Sequence, residues 1–523
     1  MLGLRKSKSL YTFLIVIAGF CYINWLLNAS DWNRLKKIEN RVKKFRREEK
    51  TTIFELFEAY DQDETIQYNG HFVLLGAKNL ANSRENINFN FIETEKLDTR
   101  DLNSIFKLLY FNKAFLLDKN IFESLVFDDI IQSSNRVYNV STFELVNDIL
   151  NDKSNNKHHL ITYGIKSENF HDLNQALIDS LNSKCHFIQM SGSYSNLNIL
   201  TGLYIECKSL TLQISLVYER GNFLWIASDD YQVKKNAKIF GDYPRAINNF
   251  MLIKILDKNN NKFYIPSDID KFLFEYDHSK FLECNRELAK RNLAKLGSKH
   301  EQDHKKNKMI QPVIEHISKT LESFRKHYWL AGGTLLGWYR DCGIIPFTQD
   351  VDIAIWAHEY DNRIKKHFLG NKIVRVWGTL GLINDSYEFR LFNDKFTFDM
   401  FLVYKINETR QWCGYQVKRY KFRRFLPNFE NLCSAELLNS KYMVPCDPEG
   451  YLNREYGPRL WESPESKNYT WSNVVFWKNW TDSEWPNTIR YYDKNGNLMK
   501  QKILDYVNKF LHKNVTSIPD DEF

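Results

Sequence analysis

"WLAGGTLLGWYRDCGIIPFTQDVDIAIW", residues 329 to 356, places two aspartates one residue apart in an otherwise apolar run, behind a double glycine and an arginine. "YWLA" reads as a short strand ending at Gly332-Gly333. Thr334 is placed to cap a helix, "LLGWYRDC", that Gly343 would terminate. "IIPFTQ" then turns into the strand "DVDIAIW". Side chains alternate along a strand, so Asp350 and Asp352 leave one face while Val351, Ile353 and Ile355 leave the other. Two carboxylates on one face repel unless protons or a cation intervene, and paired divalent ions about 3.5 to 4 Å apart are the usual answer in phosphoryl-transfer sites. "KFTFDMFLVY" supplies a third acid, because Asp399 is a lone charge in an apolar strand, where an unpartnered polar group costs ~2 to 7 kcal/mol and a charge more. Gly333 lets a phosphate or sugar approach the backbone, and the next helix offers N–H groups at its start. A strand acid paired with an arginine is the plain alternative, and Arg340 fits either a structural ion pair or a phosphate contact.

Outward from this stretch, "MIQPVIEHISKTLESFRKHY" puts Ile310, Val313, Ile314, Ile317, Leu321 and Phe324 on one helical face. Residues 285–308 are polar and helix-forming, and make the best domain boundary of the chain. Residues 65–284 read as a mixed α/β stem domain, with strand-like runs "HFVLLGA", "HHLITYGI", "CHFIQM", "LTLQISLVYE" and "NFLWIAS" and no nucleotide-binding glycine fingerprint. A chain of 523 residues with 15% aromatics has globular composition, and its +8 charge, spread over 72 basic and 64 acidic residues, gives no reason to expect a nucleic-acid partner.

The N-terminus carries an 18-residue charge-free run, "LYTFLIVIAGFCYINWLL" (10–27), long enough to span a bilayer. It reads as a retained signal-anchor between a cytoplasmic tail (1–9) and a helical stem (28–64). Nine Lys or Arg between residues 31 and 50 against three before the span oppose a lumenal C-terminal bulk. Large domains translocate largely regardless of charge, so the expectation is a single-pass type II Golgi membrane glycoprotein. Six N-x-S/T sequons, at Asn28, Asn139, Asn407, Asn468, Asn479 and Asn514, are compatible with that. Seven cysteines follow the span, so in an oxidising lumen at least one stays out of an internal pair. No CxxC pair marks a zinc site.

Beyond the aspartates, "VKRYKFRRF" (417–425) reads as a solvated basic hairpin or a surface for an anionic acceptor. In "VPCDPEGYLNREYGPRLWESP", Asp447 caps, Pro448 opens a helix and Gly457-Pro458 stops it. Tyr451, Tyr456 and Trp461 form an aromatic cluster, either core packing or a wall for a nucleobase or acceptor. "WSNVVFWKNWTDSEWP" has four tryptophans that must pack on something.

These two blocks, the glycine turn with Arg340 and the aspartate pair, then Tyr451-Leu452, Tyr456-Gly457 and Trp461, resemble the LicD family of phosphotransferases, in its fukutin-like branch. The resemblance covers about residues 309–465. It implies an α/β nucleotidyltransferase-like catalytic domain over 309–523 and a Golgi enzyme that moves a phosphoalditol, ribitol 5-phosphate, from a CDP-activated donor to an O-mannosyl glycan on a dystroglycan-like glycoprotein, releasing CMP. Complexes with other glycan-modifying enzymes fit the same picture. Asp350, Asp352 and Asp399 match the catalytic and metal-binding acids for Mg²⁺ or Mn²⁺. Gly333, Thr334, Gly337, Arg340, Arg390 and Tyr451 are the expected substrate-binding residues. The chain departs from the family in carrying Thr348-Gln349 where members commonly run several acids. Two other functions fit the same residues: a D-x-D sugar transferase using a nucleotide sugar, and an inactive partner of another enzyme.

Overall fold

The computed structural model describes residues 97–518 apart from 126–136, 141–158, 182, 195–196, 209, 229–241, 430, 465–473 and 512–514. The expected tail, anchor, helical stem and "HFVLLGA" strand lie outside the described residues. Among those described, no helix is long and apolar enough to cross a membrane. They fall within one compact unit, Asn69–Phe523, which holds two main hydrophobic cores.

The first core lies on a ten-stranded sheet. At its centre His159–Lys166 runs parallel to Leu210–Arg220, and Leu197–Glu206 and His186–Tyr194 extend it antiparallel. Helices Thr99–Phe111 and Ser167–Leu181 bury Leu102, Ile105, Phe106, Leu173 and Leu177 over it. Four of the strand runs read from sequence fall on observed strands, because continuous or alternating apolar runs here do end up buried.

The second core belongs to the site. Its elements are α1 (Arg286–Leu296), α2 (His304–Ser323), β1 (Tyr328–Leu330), α3 (Gly332–Asp341), β2 (Asp350–Trp356), β3 (Arg375–Leu382), β4 (Asp385–Phe392), β5 (Thr397–Asn407), β6 (Arg410–Val417), β7 (Tyr420–Pro427), α4 (Pro448–Tyr456), β8 (Val475–Asn479) and β9 (Ile489–Tyr491). The sheet runs β8-β7-β6-β5-β4-β3-β9, with β2 parallel to β5 and β1 antiparallel to β2. Val351, Ile353 and Ile355 are buried, as alternation requires. α2 buries Ile310, Val313, Ile314, Ile317 and Leu321 against this sheet, and Asp303 caps it. The polar run 285–308 is thus two capped helices joined by a short turn, with α1 lying against α3.

Two local readings need correction. α3 starts at Gly332, two residues before Thr334, and its N-cap Ala331 supplies no side-chain cap. It ends at Cys342, which adopts the left-handed conformation expected of Gly343 (φ 49°), while the Gly343 N–H donates to Gly337 O (3.2 Å). Cys342 is bonded to Cys284, which anchors the end of α3 to the chain entering α1. Cys185–Cys207 and Cys433–Cys446 are the other disulfides, and Cys413 is a buried free thiol.

Arg220, from the first sheet, is buried between Glu283 (2.7 Å) and Glu436 (2.6 Å) on the second region. Strand Phe281–Leu282 adds to Leu432–Leu437 beside it. The Cys342→Ser variant is expected to lose about 2 to 4 kcal/mol of unfolding free energy, read as a lower urea midpoint. An unchanged midpoint would show that α3 is held without the crosslink.

Candidate active site

The parallel register of β2 on β5 sets Asp352 directly beside Asp399, with Asp350 beside Thr397. Ligand oxygens of Asp350, Asp352 and Asp399 all lie within 4.8 Å of one another. Asp399 is buried and the other two are half-buried. Burial first, then the charges of Asp350 and Asp399, push the Asp352 carboxyl far above the usual carboxylate range. Asp399 is pushed up to about 8, mainly by burial, against the lowering pull of Arg390. Asp399 Oδ1 is buried and has no hydrogen-bond partner among the described residues. Three hard oxygen donors, one with an unused buried oxygen, fit a small divalent cation such as Mg²⁺ or Mn²⁺.

The glycine turn serves this cluster in an unexpected way. Gly333 N–H donates to Asp352 Oδ2 (2.9 Å), so that amide is spent on the carboxylate and is not offered to a phosphate. Gly332 sits at φ 48°, and a Cβ there would come within 2.5 Å of Asp352 Oδ2. Only glycine permits both the backbone conformation and the approach. Thr334 Oγ1 accepts from Asp352 N–H (2.8 Å), and Ala331 N–H donates to Asp352 O (3.0 Å). Thr348 Oγ1 donates to Asp350 Oδ1 (2.5 Å).

The structure places three expected substrate contacts away from the acids and holds a fourth in ion pairs beside them. Gly337 is buried where a Cβ would meet Gly343 O at 2.8 Å and Ile345 N at 3.0 Å, so it lets α3 pack on the following loop. Arg340 is fully buried, forked onto Asp341 and donating to Trp461 O, with His300 on the same aspartate. It lies near the C-terminal end of α3, and α3 is about 15 Å long at 1.5 Å per residue. Arg390 does adjoin the acids, but it is a buried cation shared by Glu388 (2.8 Å) and Asp399 (3.5 Å). Tyr451 is buried in the core, where its hydroxyl accepts from Trp329 Nε1 (3.4 Å) and its ring packs near Phe429.

Other residues were missed. Lys306, in the run read as a boundary, is buried and donates to Ile345 O (2.9 Å), Pro346 O (2.9 Å) and Thr348 O (3.1 Å). It pins the loop that delivers Asp350, and burial lowers its pKa while Asp303 and Asp350 oppose that. Phe347, in the same loop, is 57% exposed. Glu455, buried against Arg424, adds negative potential at Asp352. The basic hairpin β6–β7 is not simply solvated: Lys421 is buried on Asp385 and Trp480, and Arg423 lies between Trp412 and Trp477. A cavity of about 410 Å³ opens at the far end of α3, lined by Arg291, Asn453, Trp461 and Glu462, and none of the three acids borders it.

Residues 325–447 match the family model described as LicD/FKTN/FKRP, nucleotidyltransferase domain. The chain is a fukutin-like member of the LicD family. Among LicD-family relatives it is similar to mouse "Ribitol-5-phosphate transferase FKTN" (32% identity over 309 residues, 55% of this chain and 66% of the relative). The human protein of the same description is 30% identical over 307 residues, with the same shares. A Caenorhabditis elegans relative, "Uncharacterized protein T07A5.1", is 31% identical over 255 residues, 45% of this chain and 65% of its own length. The chain thus spans just under two thirds of these curated relatives. Within the LicD match lie β1, α3, β2 and β5, the elements that carry the three aspartates.

Mn²⁺ at 100 times its dissociation constant is expected to stabilise the protein by about 2.7 kcal/mol, seen as a rise in thermal midpoint that Asp352→Asn abolishes. Lys306→Met should weaken Mn²⁺ binding about 10-fold, the range for groups that orient ligands. Titration calorimetry giving the same affinity would remove Lys306 from the site's support.

Proposed function

We propose that the chain is a transferase that moves a phosphoalditol from a CDP-activated donor onto a glycan hydroxyl, with release of CMP. The convergence of Asp350, Asp352 and Asp399 carries this reading. The LicD match and the names of the mouse and human relatives support a phosphorus-group transfer and ribitol 5-phosphate as the group moved. An O-mannosyl glycan on a dystroglycan-like glycoprotein is the acceptor proposed. The three disulfides support an oxidising compartment, here the Golgi lumen, with residues 10–27 as the type II anchor.

A Mg²⁺ or Mn²⁺ ion held by the three carboxylates would supply charge neutralisation for the donor diphosphate. The chain's own residues do the rest. Gly333 and Thr334 orient Asp352, and Gly332 leaves room for it. Arg390 steadies Asp399 from the neighbouring strand. Asp399 Oδ1, which has no hydrogen-bond partner among the described residues, is the oxygen proposed to take the acceptor hydroxyl proton. Phe347 offers an exposed ring, in a loop pinned by Lys306, to the nucleobase.

Incubation of the full chain with CDP-ribitol, CDP-glycerol or a UDP-sugar distinguishes the readings by which nucleotide is released. Metal-dependent CMP release is expected, with a loss of 100-fold or more in Asp352→Asn and Asp399→Asn at an unchanged circular dichroism spectrum. UDP release would favour a sugar transferase, and no binding of either nucleotide would favour a non-catalytic partner.

A further inference from the structure

β8 is the edge strand of the nine-stranded sheet, and all five of its residues are exposed. Three of them in a row are apolar, with Phe476 54% and Trp477 45% exposed. Pairing with β7 sets Asn479 opposite Tyr420 and Phe476 opposite Phe422. Tyr420 and Phe422 are two apart on β7 and share a face. That face therefore carries Asn479, Tyr420, Phe422 and Phe476 together, with the Phe476 ring 6.1 Å from Tyr420 and 5.9 Å from Phe422. A bare aromatic edge of this kind is an open invitation to strand pairing and aggregation.

Asn479 begins the sequon Asn479-Trp480-Thr481, and both Asn479 and Thr481 are exposed. Its amide makes no hydrogen bond among the described residues, whereas Asn407, in another sequon, gives its Oδ1 to Thr409 and Arg410 N–H groups. Trp480 is buried, and its N–H and C=O are both bonded to Arg419 (2.8 Å each), which holds the strand end in place.

We propose that Asn479 carries an N-linked glycan whose first sugar covers the Tyr420–Phe422–Phe476 face. Directly opposed residues have Cβ atoms about 4.5 to 5.5 Å apart, so the first sugar starts beside Tyr420. A pyranose presents a flat C–H face that suits an aromatic ring, while its hydroxyls face water. In the modification, Asn479 Nδ2 bonds the anomeric carbon of an oligosaccharide delivered on a lipid diphosphate by a lumenal oligosaccharide transferase. The anomeric C–O bond breaks, the lipid diphosphate leaves with its electron pair, and the amide gives up one proton. This rests on the lumenal location proposed above.

The test is glycopeptide mapping of the full chain from cells with a secretory pathway, followed by sedimentation of the purified protein. Asn479 is expected to be occupied. Asn479→Gln is expected to lose one glycan and to self-associate at micromolar concentration, and adding Tyr420→Ser with Phe476→Ser should restore the original profile. An unmodified Asn479 beside a glycan at Asn407 or another sequon overturns the proposal and leaves the location standing. No glycan at any sequon overturns both. Occupancy at Asn479 with unchanged sedimentation of Asn479→Gln, or no rescue by the serine substitutions, overturns the covering role.

Discussion

Three carboxylates with oxygens no more than 4.8 Å apart repel strongly. At an effective dielectric near 20, two unit charges at that separation oppose each other by about 3 to 4 kcal/mol. The parallel register of β2 and β5 forces this crowding, because it sets Asp352 against Asp399. The surroundings answer it only in part. Asp352 receives the Gly333 N–H, Asp350 the Thr348 hydroxyl and Asp399 the distant side of Arg390. Asp352 and Asp399 still have raised pKa values. A cluster held this firmly and compensated this incompletely is suited to a cation, and a merely structural group of acids would be expected to have one arginine each.

Holding repelling groups together needs a stiff frame, and the frame is where much of the polar burial goes. α3 is clamped at its start by the contacts of Ala331, Gly333 and Thr334 to Asp352, and at its end by Cys284–Cys342 and the Arg340–Asp341–His300 set. Lys306 ties the loop between α3 and β2 to α2. Farther out, Arg220 reaches from the ten-stranded sheet to Glu283 and Glu436, and Lys441 meets Glu322. Breaking one side of a buried pair costs about 3 to 5 kcal/mol, so Arg220 fastens the ten-stranded sheet to strand Leu432–Leu437, and Lys441, on the strand paired with it, is tied to α2.

The convergence of Asp350, Asp352 and Asp399 was legible because a strand has a period of two, a lone charge in an apolar strand stands out, and a glycine turn lies just upstream. The apolar face of the helix read over 309–328, observed at His304–Ser323, and the cap at Asp447 were plain from spacing and turn chemistry. Arg340 misled because motif membership says nothing about distance along a helix, and an arginine near the far end of α3 is forked onto its neighbour Asp341. Gly337 misled for a related reason: a glycine shows that something comes close without showing what, and here it is the backbone of 343–345. Lys306 was hidden in a run of polar residues, since three carbonyl partners supplied by a loop forty residues away leave no local pattern. Gly332 and Gly333 were visible as a turn, but their role in holding a carboxylate depends on a strand contact that spacing alone does not contain.

Thr348 and Gln349 stand where LicD members commonly carry acids, and the two positions do not weigh equally. Gln349 is exposed, where water would screen a carboxylate and leave it little influence on the cluster. Thr348 is half-buried and its hydroxyl bonds Asp350 directly. An acid at 348 would replace that donor with another negative charge beside an already crowded group, and its C=O is already held by Lys306. The threonine therefore fits a cluster reduced to three carboxylates: it lowers the repulsion the fold must contain while keeping Asp350 oriented for whatever cation the site receives.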